Sequence, residues 1–224
     1  MNASTEARAA IHVEVISDVV CPWCYIGKHR LETAIAVNPD IEVSINWRPY
    51  FLNPWIPREG IDRQTYLETK FGSVERYGAI TERVAAASAM EGLPYAPDKI
   101  SRQPNTRDCH SLSLWSRSAT DPARMKQRLM ELYFAEGADL TDANVLIETA
   151  GACGMDRDLV RRLLASDADV DRVENEATSA KEAGIDGVPC FIFGGHVIVT
   201  GAQSPEYLAS AIERTAGRHT RLQA

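Results

Sequence analysis

At 224 residues the chain is long enough for one large domain or two interleaved ones. Its 31 acidic against 24 basic side chains leave a net charge of −7, which argues against a nucleic-acid partner or an anionic membrane surface. No apolar run is long enough to span a bilayer, and residues 1–10 lack the continuous apolar core of a signal peptide, so the expected compartment is the cytoplasm.

The N-terminal residues 1–9 are short and polar and are expected to be loose. Residues 11–17 alternate apolar and polar side chains, the period of a half-buried strand. Residues 21–37 follow as a helix, with Ile26, Leu31 and Ile35 at near-helical spacing, ended by Asn38-Pro39. Residues 41–47 alternate again, which completes a βαβ unit with parallel strands and a right-handed crossover. Residues 51–57 carry two prolines and read as an exit linker. From about 62 to 165 the pattern is helical, with no strand signal. Asp62, Asp121, Thr141 and Asp156 are the expected N-caps, and a helix begins at Asn105. A further helix is expected over 167–183, closed by Gly184. Residues 188–193 and 196–200 flank Gly194-Gly195 as a β-hairpin. Ser204-Pro205 opens a last helix, and the polar tail 217–224 is expected to be loose.

Cys21-Pro22-Trp23-Cys24 falls where the first strand ends and the first helix begins. A helix N-terminus offers free N–H groups and a partial positive charge, so a thiol there ionises more easily, and the thiolate is the attacking species. Cys24 lies three residues on, on the same face, within reach of a disulfide. Pro22 suits the first turn because its missing N–H is not needed there. The stretch reads as a redox dithiol, and a half-exposed Trp23 would be its contact surface. Half of a zinc site is the alternative. A structural zinc needs four ligands, which Cys109, Cys153, His110 or Cys190 would have to complete. No second C-x2-C exists, so no metal is expected. Five cysteines scattered along the chain are not a secreted disulfide framework. Cys153 reads as a packed thiol. Cys190 alternates toward the core or toward the dithiol. His29, about two helical turns beyond Cys21, is too far along to tune it. Asp18 is expected to satisfy backbone N–H groups at the turn, with a proton relay as the lesser reading.

The element order β-α-β, helical insert, α-β-β-α is that of an α/β protein with a thioredoxin-like fold and a large all-α domain inserted after the βαβ unit. The expected division is 10–52 with 167–216 for the thioredoxin-like part and 53–166 for the insert. The segment Asp18-Val19-Val20-Cys21-Pro22-Trp23-Cys24-Tyr25-Ile26-Gly27-Lys28 resembles the active-site segment of the FrnE-like branch of the DsbA family. Asn53-Pro54, Asn105-Thr106 with His110, Gly187-Val188-Pro189 and Gly201-Ala202-Gln203 resemble its other landmarks, in the same order. Cys109, where a small residue is expected, and Cys190 depart from the pattern and leave open how many thiols work.

The resemblance implies a thiol–disulfide oxidoreductase or isomerase. Cys21 would attack and hold the mixed disulfide, and Cys24 would resolve it. Pro189 would be the cis-proline that lets the Val188 main chain pair with an extended substrate. Pro22, Trp23, Asn53 and His110 would complete the substrate site. No cofactor is implied beyond a Cys21–Cys24 disulfide. The partners would be protein thiols and disulfides or glutathione, acting on a monomer or a homodimer. The Pro-Trp interior carries no cation, so the couple is expected to be less oxidising than about −120 mV. Two other readings share this architecture. One is a glutathione-dependent isomerase or transferase related to 2-hydroxychromene-2-carboxylate isomerase and kappa-class glutathione transferase. There a serine usually stands where Cys21 stands. The other is a substrate-binding chaperone with secondary redox activity.

Overall fold

The computed structural model describes residues 9–223. Strand β1 (Ala9–Ser17) pairs in parallel with β2 (Ile41–Pro49), setting Val13 beside Ile45 and Val15 beside Trp47. Helix α1 (Pro22–Ala36) makes the crossover between them. On its other edge β1 meets β5 (Cys190–Phe193) antiparallel, and β6 (Val197–Thr200) closes the sheet in the order β2-β1-β5-β6. The hairpin turns at Gly194 and Gly195, both at positive φ, which glycine adopts without a Cβ penalty.

The alternation in β1 has a clear target. Ile11, Val13 and Val15 point at one face, where Leu31 and Ala34 of α1 meet Leu208, Ala211 and Ile212 of α9 (Pro205–Gln223). The opposite face is covered near the end of β1. There Ile16 and Cys190 pack with Tyr50 and Ala180, the last from α8 (Val170–Glu182). Past Val15 the alternation stops, and Ile16, Ser17 and Asp18 are all buried.

The insert is helical, as its sequence implies: α2 (Arg63–Phe71), α3 (Val74–Met90), α4 (Arg107–Ala119), α5 (Pro122–Glu131), α6 (Ala143–Ala152) and α7 (Arg157–Ala165). Asp62, Asp121 and Asp156 cap as expected, each accepting a backbone N–H of its own helix. Thr141 does not cap. Asp139 takes its N–H and hydroxyl, and the cap passes to Asp142, which accepts from Asn144 N at 2.8 Å. Two short strands interrupt the helices against expectation, β3 (Ile61–Asp62) and β4 (Arg102–Gln103), antiparallel. Strands of two residues are too short to show a period. Helix α5 runs on into a π-helical turn over Leu132–Glu136. Helix α8 starts later than expected, because Asp167 and Asp169 take φ of 51° and 58°. Helix α9 carries the polar tail as helix through Gln223. Of residues 1–9, expected to be loose, Ala9 already belongs to β1, and residues 1–8 lie outside the described residues.

The insert shares its core with the sheet domain. Val19, Val20, Cys21, Cys24 and Tyr25 pack with Cys109, Leu112, Met125, Leu129 and Tyr133 in one apolar cluster. Tyr25 stacks on Phe134 with ring centroids 5.5 Å apart. The turn that carries the dithiol is therefore clamped from both halves of the chain.

Candidate active site

The chain leaves β1 at Ser17 and enters α1 at Pro22. Between them Cys21 N donates to Asp18 O at 3.3 Å, which closes a tight turn. Cys21 is the N-cap of α1, in extended conformation, and no side chain caps the helix there. Cys24 N and Tyr25 N both return to Cys21 O, so the first turn forms around the cysteine itself. Cys21 thus opens the helix at the positive end of the dipole, a setting that favours an anion.

Both sulfurs are free thiols and both cysteines are buried, Cys21 at 4% and Cys24 at 2% exposure. The Cys21 thiol donates to Val188 O at 3.6 Å. Val188–Pro189 is a cis peptide bond, and Gly201 N donates to Pro189 O at 2.8 Å to fix the loop. Gly27, one turn along α1, makes this approach geometrically feasible. A Cβ there would sit 2.9 Å from Pro189 Cγ and 3.3 Å from Phe191 Cζ. Pro22, Trp23 and Val188, next to Cys21 in sequence or through its hydrogen bond, are half-buried, and Pro189 is buried. Burial is the first cause that pushes the Cys24 thiol well above its ordinary value, with neighbouring Cys21 adding to it. A backbone hydrogen bond from Asp18 and the charge of Lys126 pull it back.

Behind the dithiol lies a buried pair. His110 Nε2 donates to Asp18 Oδ1 at 3.3 Å, and Leu52 N donates to Asp18 Oδ2 at 2.8 Å. Burial works to raise the Asp18 carboxyl, but hydrogen bonds from His110, Leu52 and Thr106 outweigh it and hold it below the ordinary value. Burial holds His110 below its own ordinary value against the pull of Asp18. The pair is a carboxylate beside a neutral imidazole. Asp18 thus meets a backbone N–H as expected, and also a side chain that the sequence reading placed elsewhere.

Two expected substrate contacts are corrected. His110 does not line the groove: at 3% exposure it is closed in between Asp18 and the edge of Phe51. Asn53 is buried too, and its Oδ1 accepts from Lys70 Nζ at 2.5 Å. Asn53 positions a cation instead of facing a substrate. Lys70 is the residue the sequence reading missed. Burial pushes its pKa down, while the charges of Cys21 and Asp18 pull it up, so α2 brings a cation within electrostatic range of Cys21. The insert thus brings toward the dithiol a cation of the kind that the Pro-Trp interior lacks.

The other three thiols are buried as well. Cys109 is wholly buried in the shared core and burial pushes it up. Cys190 stands opposite Ile16 in the sheet and packs among Ile16, Tyr50 and Ala180. Cys153 is the C-cap of α6 and is buried. His29 lines a surface hollow of about 400 Å3 with Lys28, Arg124 and Cys153. Among the described residues no group of three or more His, Cys, Asp or Glu is placed to hold a metal ion. No helix among them is long and apolar enough to cross a membrane.

This geometry agrees with what comparison finds. The DsbA-like thioredoxin domain model matches residues 12–213. The chain belongs to the DsbA-like thioredoxin family. Among solved structures, the "probable DsbA oxidoreductase SCO1869" of Streptomyces coelicolor is 30% identical, with a TM-score of 0.80 over 92% of this chain and 90% of that one. The "uncharacterized protein YwbO" of Bacillus subtilis is 26% identical over 204 residues, 90% of this chain and 96% of YwbO. A 2-hydroxychromene-2-carboxylate isomerase shares the fold, with a TM-score of 0.66 at 16% identity, over 95% of this chain and all of that one.

Proposed function

We propose that this DsbA-like chain is a thiol–disulfide oxidoreductase whose working couple is Cys21 and Cys24. The observation that carries the reading is the seat of Cys21. It is the N-cap of α1, its thiol lies against the Val188 carbonyl at the cis-Pro189 loop, and a second thiol stands one turn behind.

In the reductive direction the Cys21 thiolate attacks one sulfur of a substrate disulfide. A Cys21–substrate bond forms, the substrate S–S bond breaks, and the other substrate sulfur leaves with the electron pair. Cys24 then attacks Cys21 Sγ. The Cys21–Cys24 disulfide forms and the remaining substrate sulfur leaves as a thiol. The two cysteines lose two electrons and the substrate gains them. Oxidation of a dithiol substrate runs the same steps backwards, and the direction follows the reduction potential against the compartment. The half-buried rim of Pro22, Trp23 and Val188 makes few chemical demands, which suits varied protein disulfides or glutathione. Main-chain pairing along Val188 would hold an extended substrate by strand addition.

The test equilibrates the protein in graded glutathione buffers and counts free thiols by alkylation and intact mass, with Cys21→Ser and Cys24→Ser alongside. The wild type is expected to lose two titratable thiols together, and neither variant to do so. A single stable glutathione adduct with no Cys21–Cys24 pairing would overturn the couple and favour a glutathione-dependent isomerase or transferase.

A further inference from the structure

Helix α5 carries Lys126 into the interior, where the residue keeps 1% of its surface exposed. Its Nζ donates to Ser17 O at 3.4 Å and faces the Trp47 ring at 5.6 Å from the centroid. Among the described residues no carboxylate lies within ion-pair distance of it. The void beside it, bounded by Trp47, His110, Arg117 and Glu176, measures about 10 Å3, no more than one water requires. A buried ammonium without an ionic partner is costly, and apolar replacement of buried charge commonly stabilises a fold. The residue therefore calls for a role besides packing.

The titratable and charged groups around it narrow that role. Asp18 faces it from the turn after β1, Cys24 from α1, Cys109, His110 and Arg117 from α4, and Glu176 from α8. Glu176 is paired with Arg117, and Asp18 is held by His110 and Leu52. Burial first, then Asp108 and Asp18, act against ionisation of Cys109, with Lys126 pulling the other way. Of the two thiols in range, Cys24 is the one that the resolving step asks to become an anion in a buried place.

We propose that Lys126 is a positioning residue for resolution, its ammonium serving as the buried counter-charge of the Cys24 thiolate. The inference rests on the reading of Cys24 as the resolving thiol. The step is balanced without any further reagent. Cys24 releases its proton, the thiolate attacks Cys21 Sγ, and the bond between Cys21 and the substrate sulfur breaks. The departing sulfur takes the electron pair and, through solvent, the proton that Cys24 gave up. Lys126 changes neither bonding nor protonation; it lowers the cost of the intermediate anion. Lys126 stands between Met125 and Leu129 of α5, which pack in one cluster with Cys24, and its Nζ reaches the Ser17 carbonyl at the start of the dithiol turn. Burial brings Lys126 down to about 8 with Cys24 as the foremost opposing pull, and Lys126 pulls Cys24 down. The thioredoxin half supplies both sulfurs, and the inserted half supplies the charge that one of them needs.

The experiment titrates Cys24 in a Cys21→Ser background, by ultraviolet thiolate absorbance and by iodoacetamide alkylation across pH. It compares Lys126 with Lys126→Met, Lys126→Gln and Lys126→Arg. Met and Gln are expected to move the Cys24 titration up by about one unit or more, a roughly tenfold loss of thiolate below it. Arg is expected to restore most of the shift. With Cys21 restored, Met should prolong a trapped glutathione mixed disulfide roughly tenfold at pH 7. A folded Met or Gln variant that titrates Cys24 like its parent overturns the inference. That outcome beside a working wild-type couple leaves the oxidoreductase reading intact, whereas a wild type without a couple defeats both.

Discussion

On the proposed function, Cys21 draws its reactivity from position more than from its neighbours in sequence. The N-cap seat sets it at the positive end of the α1 dipole, and Lys70, held by Asn53, brings a cation from α2. Lys70→Met should therefore slow alkylation of Cys21 in a Cys24→Ser background. The expected loss is several-fold, because the lysine lies toward the surface, and it should shrink as salt is raised to about 1 M. An unchanged rate at low salt would remove Lys70 from the account. The Asp18–His110 pair makes a different prediction. Both groups sit below their ordinary values of 3.8 and 6.5. On acidification the unfolded chain takes up a proton on His110 near pH 6.5, which the folded chain accepts only at lower pH. Stability must fall as pH drops through that window. Asp18 repeats the effect below about pH 3.8, as its native carboxylate is protonated. The urea midpoint should fall between pH 7 and 5, and His110→Gln, whose Nε2 can still donate to Asp18, should flatten that slope. A slope equally steep in the variant would show that other groups carry it.

At the scale of elements, the approach of α1 to the cis-Pro189 loop depends on a missing side chain. Gly27→Ala would push a methyl group into the Pro189 ring and Phe191, neither of which can fold away. The expected cost is about 1–3 kcal/mol by urea unfolding, as in other overpacked contacts, with a slower Cys21 reaction as the sulfur leaves Val188. Full retention of both properties would mean that the loop gives way freely. This scale also shows what the sequence could and could not reveal. The Ile11, Val13, Val15 alternation, the Pro22 first turn and the Gly194-Gly195 turn are local signals, and each produced the element expected of it. The β3–β4 pairing, the cap at Asp142 and the late start of α8 were not legible, because strands of two residues have no period and an Asx turn can take a threonine away from its helix. Asn53 and His110 were assigned to a groove by resemblance. Their burial is set by Lys70 and Asp18, partners far away in sequence that no local pattern announces.

Across the whole molecule, the shared core makes the insert part of the active-site support. Leu129 on α5 is fully buried in the same cluster as Cys21, Cys24 and Tyr25. Leu129→Ala should cost about 2–5 kcal/mol. The loss should appear in one cooperative transition, seen alike by far-ultraviolet circular dichroism and by exposure of Cys24 to alkylation. Two separated transitions would show that the insert melts independently and only rests on the dithiol turn. The fold order was legible along the chain because each half keeps its own periodicity. The placement of Lys70 and Lys126 was not, since only the folded chain brings these residues of the insert toward the sulfurs of the other half.

The central claim is that Cys21 attacks and Cys24 resolves. It is tested most directly by trapping: Cys24→Ser is exposed to a disulfide-bonded peptide, and the adduct is located by peptide mapping. The account predicts one peptide per chain, on Cys21, stable in the variant and absent from both the wild type and Cys21→Ser. An adduct on Cys109, Cys153 or Cys190, or an equally lasting adduct on the wild type, would contradict it.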